Sequence, residues 1–506
     1  VLLILTGILA FYVAWNLGGN DVANAMGTSV GSKALTLRQA LVVAGVLEFV
    51  GAALFGDRVS TTLATAIIDP SLFTQNPQLW VLGMVAVLIA CGFWLQIATL
   101  LGLPVSSSHA VVGAIAGFGW VAVGASEVNW PSLRTISLMW VATPVVSGAI
   151  AALLYRTLRR FIIDTPNPFQ SLDEWIPWLS LSLVTIFGWI AFPALLRPLP
   201  LEALPFPVHD IYLGLGAIAT TSLTFHLWRI LRHKRAGLTE TLSAEYKIPG
   251  KTCPSPPSHS SATADPTDVT AEAIRSSDSA ILQDSAILQI GSHPSPLPVL
   301  EPAERPIPPP THPLIHPSPL PLIHSSSAHQ RSEFLFARLQ ILSACFVAFA
   351  HGSNDVGNAV APLAAIAFVQ QYHTVPGTID AAFTIPLWVL LLGGAGLVGG
   401  LAVLGKNVIR TIGEGIIPLQ PSLGFSAELA TAVTVLLATR LGLPVSTSHA
   451  LVGAVVGVGL VRQAQEATPV KVQTLWQIGT AWIVTIPLCG ALAAGLFALG
   501  RWGLGI

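Results

Sequence analysis

Apolar runs close to 20 residues long recur along the chain, separated by short polar stretches; 79–100, 178–196 and 476–496 are clear cases. That is the length a helix needs to cross a bilayer. Twelve such segments are predicted. Seven precede residue 232 (near 1–30, 39–56, 79–100, 105–125, 135–155, 176–198 and 211–231). Five follow residue 332 (near 334–369, 384–404, 425–440, 445–462 and 473–500). The stretch 232–332 has another character, rich in Pro, Ser and His, as in "RPIPPPTHPLIHPSPLPLIHSSS". Such a sequence buries too little apolar surface to fold alone. Its His312, His316 and His324 are metal ligands in principle, but a disordered linker accounts for the composition equally well. The organisation expected is therefore a membrane block 1–231, a linker 232–332 and a second membrane block 333–506.

Composition sharpens this to an all-α integral membrane protein: 10% of residues are charged and 52% hydrophobic, against about 25% charged in soluble domains. A formal net charge of −1 gives no electrostatic case for nucleic acid. Four scattered cysteines (Cys91, Cys253, Cys345, Cys489) form neither a disulfide framework nor a metal knuckle. The N-terminal run has no basic n-region or cleavage site, so it reads as a first span rather than a signal peptide. Basic residues flank the spans at Lys33 and Arg38, at "RTLRR" (156–160) and at "RILRHKR" (229–235). Counted in order, all three clusters fall on one side, which the positive-inside rule makes cytoplasmic. The expectation is a multi-pass protein of the cell membrane with a cytoplasmic linker and both termini outside.

Two polar motifs interrupt the apolar pattern, and each is written twice. "LGLPVSSSHAVVGAIAG" (101–117) and "LGLPVSTSHALVGAVVG" (441–457) match at 13 of 17 positions, differing at 107/447, 111/451, 115/455 and 116/456. "GGNDVANA" (18–25) pairs with "GSNDVGNA" (352–359). Asp21 precedes Ser106 by 85 residues and Asp355 precedes Ser446 by 91. Same order and near-equal spacing imply an internal duplication. The first and eighth segments are seven spans apart, an odd number, so the copies would enter the membrane in opposite directions: the inverted-repeat plan of secondary transporters, with sites near the midplane. If the segments beside "PVSSSH" and "PVSTSH" spanned fully, those loops would lie on opposite faces, about 30 Å apart. Two re-entrant helical hairpins would instead bring the tips together, and are expected.

The motifs carry specific chemistry. Gly102 and Pro104 end one helix, and Ser106, Ser107 and Ser108 begin the next, where Ser is a favoured cap. A helix N-terminus presents free N–H groups and positive potential to anions. Two such tips, with Ser446, Thr447 and Ser448 on the second, would surround a tetrahedral oxyanion; plain capping needs one Ser, not three. The second motif supplies Asn20, Asp21 and Asn24, and Asn354, Asp355 and Asn358. Carboxylate and amide oxygens suit hard cations, and a membrane acid is by default a functional site. Interhelical bonding by Asn is the plainer alternative, but leaves the recurring Asp unexplained. Gly18, Gly19 and Gly352 predict helices broken at this motif. No Lys or Arg lies in either motif pair, so bound cations are expected to neutralise both the acids and the anion and to travel with them. Glu48 and Glu428, unmatched between the copies, are further coupling or gating candidates. Gln96, His109 and His449 are weaker ones, with structural hydrogen bonding as the alternative.

These residues resemble the inorganic phosphate transporter (PiT) family, marked by a duplicated Gly-x-Asn-Asp-x-x-Asn-Ala and a duplicated Gly-Leu-Pro-x-Ser-x-Thr-His. The first pair is Gly18 to Ala25 and Gly352 to Ala359, and the second Gly102 to His109 and Gly442 to His449. The likeness covers both membrane blocks and not the linker. It implies a transporter rather than an enzyme, importing inorganic phosphate by symport with Na⁺ or H⁺. It implies no cofactor and no nucleic-acid partner, lipid as surroundings, and allows a homo-oligomer. It implies phosphate contacts from Ser106–Ser108, Ser446–Ser448, Asn24 and Asn358, cation contacts from the Asn-Asp clusters, and roles for Glu48 and Glu428. One departure is that Ser108 and Ser448 stand where the family has Thr. A sulfate permease of the same fold, and an uncoupled phosphate channel or sensor, are the rival readings.

Overall fold

The computed structural model describes residues 1–195, 323–378, 383–415, 417–466 and 470–505, with six isolated positions between 218 and 229. The described residues are helical, with one isolated β-bridge between Ile68 and Val128. The first block contributes α1 (Leu2–Gly31), α2 (Leu37–Phe55), α3 (Asp57–Thr65), α4 (Pro77–Leu100), α5 (Ser107–Val123), α6 (Trp130–Leu158) and α7 (Pro168–Leu195). The second contributes α8 (Ile323–Tyr372), α9 (Leu387–Gly415), α10 (Pro421–Arg440), α11 (Thr447–Glu466) and α12 (Val472–Leu504). Eight described helices are long and apolar enough to cross a membrane; α5 is apolar but has 17 residues. Of the twelve segments expected from sequence, all but one coincide with a described helix. The segment near 211–231 lies largely outside the described residues, as does most of the stretch read as a linker. α8 begins nine residues before that stretch was expected to end. The short α3 was not anticipated: it is too polar to register as an apolar run.

All these helices belong to one compact unit built from residues 1–236 and 322–506. Their packing comes in matched pairs. α1 lies on α9 and α2 on α8; α5 lies on α12 and α11 on α6; α1 meets α4, and α8 meets α10. Each pair exchanges an element of one block for its equivalent in the other, so neither block forms its core alone.

The expected helix breaks at the Asn-Asp motifs are absent: α1 and α8 run continuously through Gly18–Ala25 and Gly352–Ala359. The glycines serve close approach instead. A Cβ on Gly18 would collide with the carbonyl of Leu397 in α9, and one on Gly352 with the carbonyl of Glu48 in α2. Removing the side chain is what lets these backbones touch, as at other tight membrane crossings.

The two Ser-rich tips are built alike. Gly102 and Gly442 take left-handed φ of 66° and 70°, which only glycine adopts without strain. Each ends its helix in a Schellman motif. Gly102 N donates to Thr99 O (3.1 Å) and Leu103 N to Ala98 O (2.9 Å); Gly442 N donates to Thr439 O and Leu443 N to Ala438 O, both at 2.9 Å. A short non-helical segment then runs to the cap of α5 or α11.

Candidate functional site

The centre of the molecule gathers both Asn-Asp motifs and both tips. Asp21, His351 and Asp355 each place a ligand-type atom within 4.8 Å of the other two, and all three are buried. Asp21 and Asp355 lie 334 residues apart (355 − 21) in sequence, yet face one cluster. Asn24 Nδ2 donates to Asp21 Oδ1 and to Thr447 Oγ1, both at 3.3 Å. Its equivalent Asn358 donates to Asp355 Oδ1 (3.4 Å) and to Ser107 Oγ (3.3 Å). Each motif therefore reaches across to the opposite tip. Thr447 Oγ1 also donates to Asp355 Oδ2 at 2.7 Å.

The tips themselves meet, with Ser108 Oγ donating to Val445 O at 2.8 Å. Within each hydroxyl triplet the tasks are divided. Ser106 and Ser446 are N-caps, accepting from the backbone N–H of His109 and His449 at 3.3 Å. Ser107 and Thr447 face the acids and amides. Ser108 bonds the other tip, while Ser448 pairs with Ser446 at 2.9 Å.

Asn20 and Asn354 hold the non-helical segments of the tips. Asn20 Nδ2 donates to Leu103 O (2.9 Å) and Thr99 Oγ1 (3.3 Å), and its Oδ1 accepts from Val105 N (3.3 Å). Asn354 Nδ2 donates to Thr439 Oγ1 (2.9 Å) and Leu443 O (3.3 Å). Among the described residues, four buried oxygens of the two Asn-Asp motifs lack a donor: Asp21 Oδ2, Asn24 Oδ1, Asn354 Oδ1 and Asn358 Oδ1. Buried acceptors in native proteins are nearly always paired, and acceptor-only oxygens of this kind are hard-cation ligands. No Lys or Arg is among the buried described residues.

His351 escaped the sequence reading. Its Nδ1 lies 3.0 Å from Glu48 Oε1 and its Nε2 3.1 Å from Asp355 Oδ2, with all three side chains fully buried. Glu48 thus reaches the central cluster through one imidazole. The position matching His351 in the first copy is Leu17, so the duplication did not mark it. Its spacing did offer a signal: i and i+4 in a helix share a face, which puts His351 directly over Asp355.

Glu428 sits apart from that cluster in a polar nest of its own. Its Oε1 accepts from Thr28 Oγ1 (2.6 Å), Ser29 Oγ (2.6 Å) and Gln340 Nε2 (3.0 Å), and its Oε2 from Ser343 Oγ (2.6 Å). Thr28 is one turn beyond Asn24 on α1, so the nest adjoins the centre and ties α1, α8 and α10 together.

The remaining candidates lie elsewhere. Gln96 accepts from Tyr12 Oη at 3.2 Å, an interhelical bond between α4 and α1. His109 Nδ1 lies 3.0 Å from Trp482 O and His449 Nδ1 2.9 Å from Trp140 O. A carbonyl only accepts, so Nδ1 carries the proton in both. The His109 ring packs at a tilt on Trp140 (3.9 Å between centroids) and the His449 ring on Trp482 (3.6 Å), and the two imidazoles meet edge to face (4.8 Å). These histidines fasten the helices behind the tips to α12 and α6.

A helical membrane unit in which two sequence copies close on a buried cluster of acids, amides and hydroxyls defines a transporter rather than an enzyme. Residues 17–493 match the phosphate transporter family, and the chain belongs to that family. It is 36% identical over 490 residues to the inorganic phosphate transporter 2-1, chloroplastic, of Arabidopsis thaliana, covering 96% of this chain and 70% of that protein. A solved structure described as the sodium-dependent phosphate transporter superposes with a TM-score of 0.72 at 31% identity, covering 99% of both chains.

Proposed function

We propose that this phosphate transporter works by symport, importing inorganic phosphate across the cell membrane with Na⁺. The observation that carries this is the convergence of Asp21 and Asp355, from opposite copies, on one buried cluster with no buried Lys or Arg among the described residues. His351 balances at most one of those charges. A phosphate anion added to two carboxylates in a low dielectric needs further positive charge, and co-bound cations supply it. The sodium dependence of the structural neighbour favours Na⁺ over H⁺.

In this reading Ser107, Thr447, Asn24 and Asn358 contact phosphate, at the tips that Ser106, Ser108, Ser446 and Ser448 hold in shape. Asp21, Asp355 and the free Oδ1 atoms of Asn24, Asn354 and Asn358 take the cations. Asn20 presents its tip to the same oxygens. Glu48 acts through His351, and the Glu428 nest is the coupling or gating element beside the centre. Gln96, His109 and His449 keep structural parts. The matched helix pairs and the contact between the tips support an inverted repeat with two re-entrant hairpins, since fully spanning loops could not touch. The cytoplasmic linker and external termini follow from the basic flanks.

Proteoliposomes test the reading directly. A Na⁺ gradient alone should drive phosphate accumulation, a pH gradient alone should not, and Asp21→Asn and Asp355→Asn should each reduce uptake to background. Wild-type rates in both variants would remove the central claim. Driving by the pH gradient would substitute H⁺, and equilibration without accumulation would make the protein a channel. Sulfate uptake that phosphate fails to compete would change the substrate.

A further inference from the structure

Two grooves on the flank of the helix unit lie apart from the buried cluster and share one construction. The first, about 880 Å³, is framed by α6, α11 and α12, and Arg156 is the only charged residue among its described lining. The second, about 810 Å³, is framed by α5, α6 and α12, and Arg134 is the only charged residue among its described lining. Both open outward: Val145 and Leu460 on the first and Val121 and Trp130 on the second are exposed. The remaining lining is almost wholly apolar.

Both arginines stand on α6, 22 residues apart, which is about 33 Å along a helix at ~1.5 Å per residue. That matches the roughly 30 Å hydrocarbon core of a bilayer, so the arginines mark its opposite boundaries and each groove runs inward from one of them. Trp120 and Trp130, in edge contact at 6.3 Å, line the second groove, and tryptophan favours interfacial depth. Ser137 lines the same groove one turn from Arg134 and shares its face.

We propose that each groove holds the acyl chain of an anionic phospholipid, one per leaflet, with its phosphate on Arg134 or Arg156. The occupant must be apolar along its length and anionic at one end. A second copy seated groove on groove would set arginine against arginine, with no carboxylate among the described lining residues to offset either. A free phosphate would leave the apolar length uncovered. Lipids so placed brace α6 and α12, the two helices that His449 and His109 grip.

Native mass spectrometry of delipidated full-length protein, re-supplied with equimolar phosphatidylglycerol and phosphatidylcholine, tests this. Two phosphatidylglycerols per chain should be retained over phosphatidylcholine. Arg134→Gln and Arg156→Gln should each lower the number to one, and the double variant to none. Ala152→Leu and Ala494→Leu, which narrow the first and second groove without touching charge, should each lose one lipid while circular dichroism shows unchanged helix content. Equal retention of the two lipids, two phosphatidylglycerols on the double arginine variant, or a two-copy mass without lipid would each overturn the proposal.

Discussion

Three adjacent hydroxyls at each tip have three different partners, and that division predicts different mutational costs. Ser107 and Thr447 are the pair whose oxygens meet Asn358, Asn24 and Asp355. Thr447→Val keeps shape and removes the hydroxyl donor to Asp355 Oδ2, leaving that oxygen only the His351 imidazole at 3.1 Å. Losing one partner of a buried bond to a charged group costs about 1.5–3 kcal/mol, so phosphate uptake at sub-saturating concentration should fall roughly 10- to 150-fold. Ser108→Thr, which restores the family residue, adds a methyl where the hydroxyl faces the opposite tip, so the Michaelis constant should stay within a few-fold. Uptake kinetics of the two variants, side by side, separate these positions. The hydroxyl triplet was plain in the sequence, but its division of labour was not: a cap, a ligand and a tip contact are the same residue type until the backbone is placed. His351 shows the complementary blindness. Duplication highlights what both copies share, and this imidazole is opposite a leucine, so a reading led by the repeat passed over it although it sits one turn from Asp355.

At the scale of helices, the proline in α6 acquires a reason. Pro144 has no N–H and so leaves the carbonyl of Trp140, four residues earlier, without a helical donor. His449 Nδ1 supplies that donor from α11. In α12 the proline is Pro487, five residues after Trp482, so the carbonyl that His109 reaches has a helical N–H, that of Ile486, available to it. The two histidines are therefore unequal despite their matched sequence. His449→Ala orphans a buried carbonyl and should cost about 1–3 kcal/mol, read as a lowered unfolding temperature in detergent; His109→Ala should cost less. Pro144→Ala should recover stability in the His449→Ala background, by returning the helical donor, and not in the His109→Ala background. Equal losses, or no rescue, would show that ring packing rather than the carbonyl bond holds these helices. The sequence made the helices themselves easy to place, because apolar length alone marks a membrane helix. It misled on the motif glycines, since a glycine that permits close approach and one that breaks a helix look alike until the neighbouring helix is known. A third matched stretch went unread: "WVATPVVSGAIAALL" (140–154) against "WIVTIPLCGALAAGL" (482–496). Its shared residues are mostly small and apolar, which carry little distinction in a membrane protein.

For the whole molecule, the decisive feature is that no cluster is complete within one half. Asp21 answers to His351 and Asp355, Glu428 of the second half is bonded by Thr28 and Ser29 of the first, and Asn24 reaches Thr447. The duplication was legible, and odd parity led to the expectation that the copies enter the membrane in opposite directions. Which residues would meet was not legible, because pairing across some 330 residues depends on helix rotation that sequence spacing leaves free. The same sharing makes a strong demand on the protein as an assembly. Cutting the chain within 237–321 removes no described contact of the helical unit, whereas withholding either half removes part of every cluster. Residues 1–231 and 322–506 expressed as separate chains should therefore co-purify, because α1 packs on α9 and α2 on α8. Together they should recover Na⁺-driven phosphate uptake in proteoliposomes. Either half alone should bind no phosphate, since each would expose an acid without its neutralising partners. Uptake by a single half, even as a homodimer, would mean that one copy of the motifs builds a working site, and the shared cluster would lose its place as the transport centre.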